Sequence, residues 1–178
     1  MPILKKLQKF FEDNKVKYET IQHKIVFTAH DKAATLKIAE KIIGKTLVVK
    51  LDKSIVLVLI PANKNLDKKK FLQTVNKWKN SQERLSVISR VKRGSSRYSR
   101  ADFVKEAWMK KNLKGVKIGS VPPFGALWKL PTFIDRGLMQ NKKIIVSSGD
   151  YKISLKMNPA ILKKLIPDLV SGNFSKTR

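Results

Sequence analysis

The stretch KTLVVKLDKSIVLVLIPA, Lys45 to Ala62, decides the fold. It reads as two strands joined at DKS, because β-branched and leucine side chains dominate both runs and a short polar break separates them. The first run still carries two lysines, Lys45 and Lys50, whereas the second, IVLVLI, is apolar on both faces. A strand with two apolar faces is buried on both, so it belongs at the centre of its sheet. The run is too short to span a bilayer.

Outward from this hairpin, upstream, TAHDKAATLKIAEKIIG carries helix signals. Thr28 and Asp31 form a capping pattern, Ala34, Ile38 and Ile42 would share one face, and Gly44 would stop the helix. Before it, VKYETIQ alternates like a short strand, and Ile3, Leu4, Leu7, Phe10 and Phe11 recur at helical spacing. Downstream, Phe71, Val75 and Trp78 mark a helix, and RLSVIS a strand. A further helix turns Phe103, Val104, Ala107 and Trp108 inward. PTFID, KKIIVSSGD and YKISLKM are strand-like, and a closing helix begins at NPAILKK with Pro159 in its first turn.

Strands in hairpin pairs without an even βαβ rhythm predict an α/β (α+β) fold. The expectation is a single domain over residues 1–170, with a mixed, mostly antiparallel central sheet surrounded by helices. Residues 171–178 are expected to be a short basic C-terminal tail. KNLDKKK and SGNFSKTR look like charge-rich or loose segments.

The chain has 178 residues, of which 42% are hydrophobic, enough for a core of its own. Its 39 basic and 13 acidic residues leave a formal net charge of +26, which calls for a polyanionic partner. Basic residues are interleaved with apolar ones, unlike a disordered tail. There are no cysteines, which excludes disulfides and thiol chemistry and fits a reducing compartment. Charge interrupts the N-terminal segment too often for a signal peptide, so a cytoplasmic location is expected.

His23 and His30 are the only histidines, without metal-ligand spacing, so no metal site is expected. G-x-S-x-G, Walker and G-x-G-x-x-G motifs are absent, and no cofactor is implied. What remains is a catalyst without an obvious protein nucleophile, which would hold its substrate and stabilise developing negative charge through a lysine and backbone amides. Lys45 sits at an element end where side chains often face a cleft, although composition alone makes it one solvated lysine among many. GSVPPFG, Gly119 to Gly125, follows the most basic stretch and is nearly uncharged. It is a rigid turn or a backbone cradle. SSGD, Ser147 to Asp150, reads alone as a hairpin turn.

Taken together, Y…H…FTA…A…GKTLVVK, VLVLIPA, GSVPPFG, LPTFID and IIVSSG, in that order, resemble the YbaK and prolyl-tRNA-synthetase-associated editing domain family. The resemblance runs from about Leu4 to Leu165. It implies a free-standing, trans-acting enzyme that hydrolyses the ester of mischarged aminoacyl-tRNA. The substrate's neighbouring ribose hydroxyl would help to activate water. Lys45 and Gly119 are then the catalytic positions. Thr46, Ser120, Pro123, Asp135, Ser147 and Gly149 bind or support the substrate, with Phe27 as a candidate pocket wall against the commoner reading of a core phenylalanine. Partners are tRNA and, optionally, a synthetase; a membrane is not expected.

SRVKRGSSRYSR is longer and more basic than the family's corresponding segment. Arg90, Lys92, Arg93, Arg97 and Arg100 could clasp phosphates, and Tyr98 could stack on an unpaired base, against the alternative of a solvated loop. The rival function is a non-catalytic RNA-binding or regulatory module that keeps the fold. The substrate amino acid, the tRNA and the oligomeric state are not encoded in any motif.

Overall fold

The computed structural model describes residues 5–85 and 97–178. From the N-terminus, α1 (Lys5–Asp13) buries Leu7 and Phe11, one helical turn apart, and β1 (Glu19–Gln22) follows. α2 (Ala29–Leu36) starts where the capping pattern placed it. The Thr28 hydroxyl accepts from the Asp31 N–H at 3.0 Å and donates to the Asp31 carboxylate at 2.7 Å. Then come β2 (Gly44–Leu51), β3 (Ser54–Pro61), β4 (Lys64–Leu66), α3 (Lys68–Leu85), β5 (Ala101–Phe103) and α4 (Glu106–Asn112). β6 (Thr132–Asp135), α5 (Arg136–Met139), β7 (Ile144–Ser147), β8 (Ile153–Met157), α6 (Ala160–Leu165), β9 (Val170–Gly172) and β10 (Ser175–Thr177) complete the described strands and α-helices, with short 3-10 turns at Glu40–Ile42 and Gly125–Trp128.

Several expectations are corrected. Gly44 does not stop α2. The helix closes at Lys37, which adopts the left-handed conformation (φ 53°) and returns its N–H to the Ala33 and Ala34 carbonyls. Gly44 instead opens β2 against Pro61, where a side chain would press on Leu59. Ala34, Ile38 and Ile42 therefore share no helix, and Ala33 is the buried alanine. Phe103 lies on edge strand β5 and is 56% exposed, not turned inward on a helix. Arg84 and Leu85 of RLSVIS belong to α3, and the rest of that stretch lies outside the described residues. KNLDKKK and SGNFSKTR are not loose, since β4 and β10 pair with each other and Phe174 between β9 and β10 is fully buried.

The sheet is mixed and mostly antiparallel, as expected, but it is divided. A five-stranded sheet runs β5-β2-β3-β6-β9, beside a three-stranded sheet β1-β8-β7 and the two-stranded pair β10-β4. β2 and β3 pair antiparallel from Gly44↔Pro61 to Leu51↔Ser54, while β6 and β9 join in parallel. An isolated bridge, Ile43↔Ile145, ties the two larger sheets just before β2 begins.

β3 is central and buried on both faces, which explains its unbroken apolar run. Val56, Val58 and Ile60 pack toward α3 with Phe71, Val75, Phe133 and Phe174. Leu59 faces the other way, into a core with α1, Phe124, Leu138 and Val146. Phe71 meets Phe133 and Phe174 edge to face, each at 5.3 Å between ring centres. With both faces of the hairpin locked, the N-terminal end of β2 is a fixed platform beside the end of β7.

Candidate active site

Five segments converge on that platform. Gly44, Lys45, Thr46 and Leu47 come from β2, and Val26 to His30, with Lys32, from the entry and first turns of α2. Gly119 and Ser120 come from the loop, Ser147 from the end of β7, and Arg178 from beyond β10. Together they line a cleft of about 290 Å³. Among the predicted site residues, Phe27, Lys45, Thr46, Gly119, Ser120 and Ser147 meet there. Phe27 is a rim residue rather than a core one, being 63% exposed with its ring edge-on to Tyr151 at 4.9 Å.

The loop is positioned from the β7–β8 turn. Lys117 N–H donates to the Gly149 carbonyl (2.9 Å), Ser120 hydroxyl to the Asp150 carbonyl (2.6 Å), and Tyr151 hydroxyl to the Ile118 carbonyl (2.7 Å). The Lys117 ammonium adds an ion pair with Asp150 at 2.6 Å, and this lysine holds the Asp150 carboxyl below its ordinary range. Gly119 adopts φ +81°, and a Cβ there would stand 3.1 Å from the Phe27 carbonyl oxygen. The loop amides differ in availability: Ser120 N–H is spent on the Lys117 carbonyl, whereas no described group accepts from Gly119 N–H. Gly125, at the loop's far end, has no room for a side chain, since a Cβ would lie 2.2 Å from the Leu130 carbonyl.

Pro123, Asp135 and Gly149 do not line the cleft. Pro123 is buried in the loop's base, and Gly149 supplies the carbonyl that Lys117 grips. Asp135 is an anchor: its carboxylate accepts from Gly137 N–H at 3.0 Å, Phe174 N–H at 3.1 Å and Ser175 N–H at 3.0 Å. It caps α5 and holds the C-terminal strands that carry Arg178.

Lys45 is half-buried and donates to the Ala62 carbonyl at 3.4 Å. Its pKa is lowered first by desolvation and then by the Arg178 charge, against a smaller opposing pull from Glu40. The Thr46 hydroxyl is buried without a partner. Lys32, His30 and Arg178 are cleft residues that no motif had flagged. Lys32 is 6% exposed and donates to Ser147 Oγ at 3.2 Å, and burial pushes its pKa down to about 8. Of the lining side chains, none is acidic. His30 and Arg178 both reach Glu40, just outside. His23 is structural, bridging Ser154 Oγ and the Lys24 carbonyl. Among the described residues no three His, Cys, Asp or Glu side chains gather as a metal site.

A second groove, about 450 Å³, shares Lys45 and Leu47 with the cleft and runs past Lys68, Lys69, Lys176 and the exposed Phe103. The Lys68 ammonium lies 5.1 Å from the centre of the Phe103 ring.

Arg90, Lys92 and Arg93 lie outside the described residues. Arg97 and Arg100 are exposed, and Arg100 pairs with Asp102. Tyr98 is no free stacking platform. Its backbone is held by Asn76, its hydroxyl reaches Ser54 Oγ at 3.3 Å, and Lys79 covers its ring at 4.6 Å. These residues flank the Leu51 end of β2, about 20 Å along the strand from Lys45.

Residues 88–165 match the family model of the aminoacyl-tRNA editing domain. The chain is similar to that editing-domain family. The match spans the Gly119 loop, Asp135 and Ser147. Lys45 lies before it and joins through the fold. Solved structures extend the likeness over nearly the whole chain. Hypothetical protein APE2540 is 18% identical, with 97% of this chain and 100% of its own covered at a TM-score of 0.76. A candidate trans-editing enzyme for prolyl-tRNA synthetase is also 18% identical, over 96% and 95%, at 0.72. A candidate signal transduction protein from Marinobacter aquaeolei VT8 is 14% identical and matches over only 31% of its length, at 0.65. At these identities the structures establish the editing-domain fold alone. No functionally curated protein matches the chain significantly. Among the described residues no helix is long and apolar enough to cross a membrane.

Proposed function

We propose that the protein is a trans-acting aminoacyl-tRNA deacylase working in the cytoplasm. The observation that carries this reading is the convergence of Lys45, the Gly119–Ser120 turn and Ser147 on one cleft with no acidic lining side chain. A cleft of that kind suits a reaction that develops negative charge on oxygen. Water adds to the ester carbonyl carbon, the tetrahedral oxyanion collapses, and the bond from carbon to the ribose oxygen breaks. The water's proton ends on that ribose oxygen, leaving free amino acid and uncharged tRNA.

In this reading the Lys45 ammonium and the uncommitted Gly119 N–H stabilise the oxyanion, and the adjacent ribose hydroxyl helps to orient the water. Thr46 and Phe27, both lining the cleft, position the terminal nucleoside or aminoacyl group. The groove toward Phe103 offers lysines for phosphates and a half-exposed ring for an unpaired base to displace Lys68 from, which suits a single-stranded acceptor end. The far basic stretch at Arg97 and Arg100 lies at a distance suited to the stem.

The test is a panel of purified aminoacyl-tRNAs incubated with the protein and scored for loss of the ester. One or a few should be deacylated, and Lys45→Ala should slow that reaction by about 10²–10³ with an unchanged circular dichroism spectrum. A panel left wholly intact removes the deacylase reading, and near-normal turnover by the variant removes Lys45 from the mechanism.

A further inference from the structure

Lys32 is a buried amine on α2 with no ion pair among the described residues. It sits near the start of α2, only 6% exposed, and its ammonium has one partner, the neutral Ser147 hydroxyl. A buried cation normally has a carboxylate beside it, because desolvation is otherwise uncompensated. Here no described carboxylate pairs with it. It lines the same cleft as Lys45 and Arg178, so the unmet charge faces the place where a ligand would enter.

Resting on the deacylase reading, we infer that Lys32 and Ser147 form an oxyanion-binding floor that selects a substrate carrying negative charge within the cleft. Two sources share that chemistry: the carboxylate of an acidic aminoacyl side chain, and the phosphodiester next to the terminal nucleoside. Only the first can select, because every tRNA carries the same phosphodiester whereas the side-chain carboxylate differs between substrates. An aminoacyl ester brings an α-ammonium into a cleft already lined by Lys32, Lys45 and Arg178, of which Arg178 pairs with Glu40 just outside while Lys32 meets no carboxylate. An acidic side chain cancels that added charge, whereas a neutral one leaves it. The Ser147 hydroxyl can turn its proton to the same oxyanion while its lone pair keeps the Lys32 bond.

Near-isosteric substrate pairs separate the outcomes. Full-length protein and its Lys32→Met and Lys32→Arg variants are assayed on Asp-tRNA against Asn-tRNA, and on Glu-tRNA against Gln-tRNA. The expected result is a preference of tenfold or more for the acid over its amide, kept in part by Lys32→Arg and abolished by Lys32→Met. A loss in Lys32→Met that is equal for every ester assigns the oxyanion to the phosphodiester instead. Rates and ratios unchanged by Lys32→Met overturn the inference while leaving the deacylase reading standing. Intact esters with every substrate, including a full panel of neutral aminoacyl-tRNAs, remove both. If Lys32→Met does not fold, Lys32→Gln replaces it in the same comparison.

Discussion

Lys45 and Arg178 donate to the same acceptor, the Ala62 carbonyl, at 3.4 and 2.9 Å. Residues 133 positions apart are thus neighbours, because β10 pairs with β4 directly after the β2–β3 hairpin. The guanidinium both competes for the carbonyl and lowers the lysine's pKa, second only to desolvation.

Arg178→Ala is expected to raise the Lys45 pKa by removing the nearby positive charge. The ammonium would then persist to higher pH, and the alkaline limb of the deacylation profile should move upward. Its pH dependence of kcat/KM is the measurement. A limb that stays in place or moves down would mean that Lys45 does not titrate in the active range.

Gly119→Ala tests the loop. A β-carbon there meets the Phe27 carbonyl at 3.1 Å on a backbone of φ +81°, a conformation that costs a non-glycine residue about 1–3 kcal/mol. The variant should unfold at lower urea concentration and lose activity together, because relief requires the loop to leave Phe27. A stable variant with full turnover would show that the loop's position against Phe27 is irrelevant to the chemistry.

The hairpin was legible because residue type and environment agree there: a strand buried on both faces must be apolar throughout, and β3 is. The end of α2 was not legible, since the left-handed cap is a lysine, and Lys37 looks like every other lysine in so basic a chain. The same anonymity hid Lys32, whose sequence neighbours do not reveal that its ammonium ends against Ser147. Arg178 was hidden for another reason. Its placement depends on Asp135 gripping Phe174 and Ser175, a contact of about forty positions' separation that no local pattern encodes. Motifs marked Asp135 as a residue that binds or supports the substrate site, but its grip on the Gly137, Phe174 and Ser175 amides is not legible in them. Tyr151 carried a weak signal, an aromatic directly after a polar turn.

Phe103→Ala addresses the path of the RNA. The ring is 56% exposed on an edge strand, so its removal should barely change stability. If a base stacks on it, truncation should weaken binding of a CCA-ended oligonucleotide by roughly five- to 150-fold, matching about 1–3 kcal/mol per stacked base. A fluorescent 3′-end oligonucleotide titration reads this directly. Equal affinity for the wild type and the variant would take the acceptor end out of that groove.

Lys32→Met separates the energetic cost of the buried amine from its use. An unfolded lysine titrates near 10.5, while the folded one titrates near 8 because burial penalises the charged form. Between those values the unfolded chain binds the extra proton, so the native protein's stability rises with pH through this window. Below pH 8 the burial works against folding by on the order of 3 kcal/mol. The methionine variant should therefore be more stable than the wild type at pH 7, with the gap closing as pH approaches 10.5. Urea midpoints at pH 7 and pH 10 provide the comparison. A gap that does not change with pH would mean that Lys32 is not the desolvated cation its surroundings indicate, and would take away the reason to look for its anion.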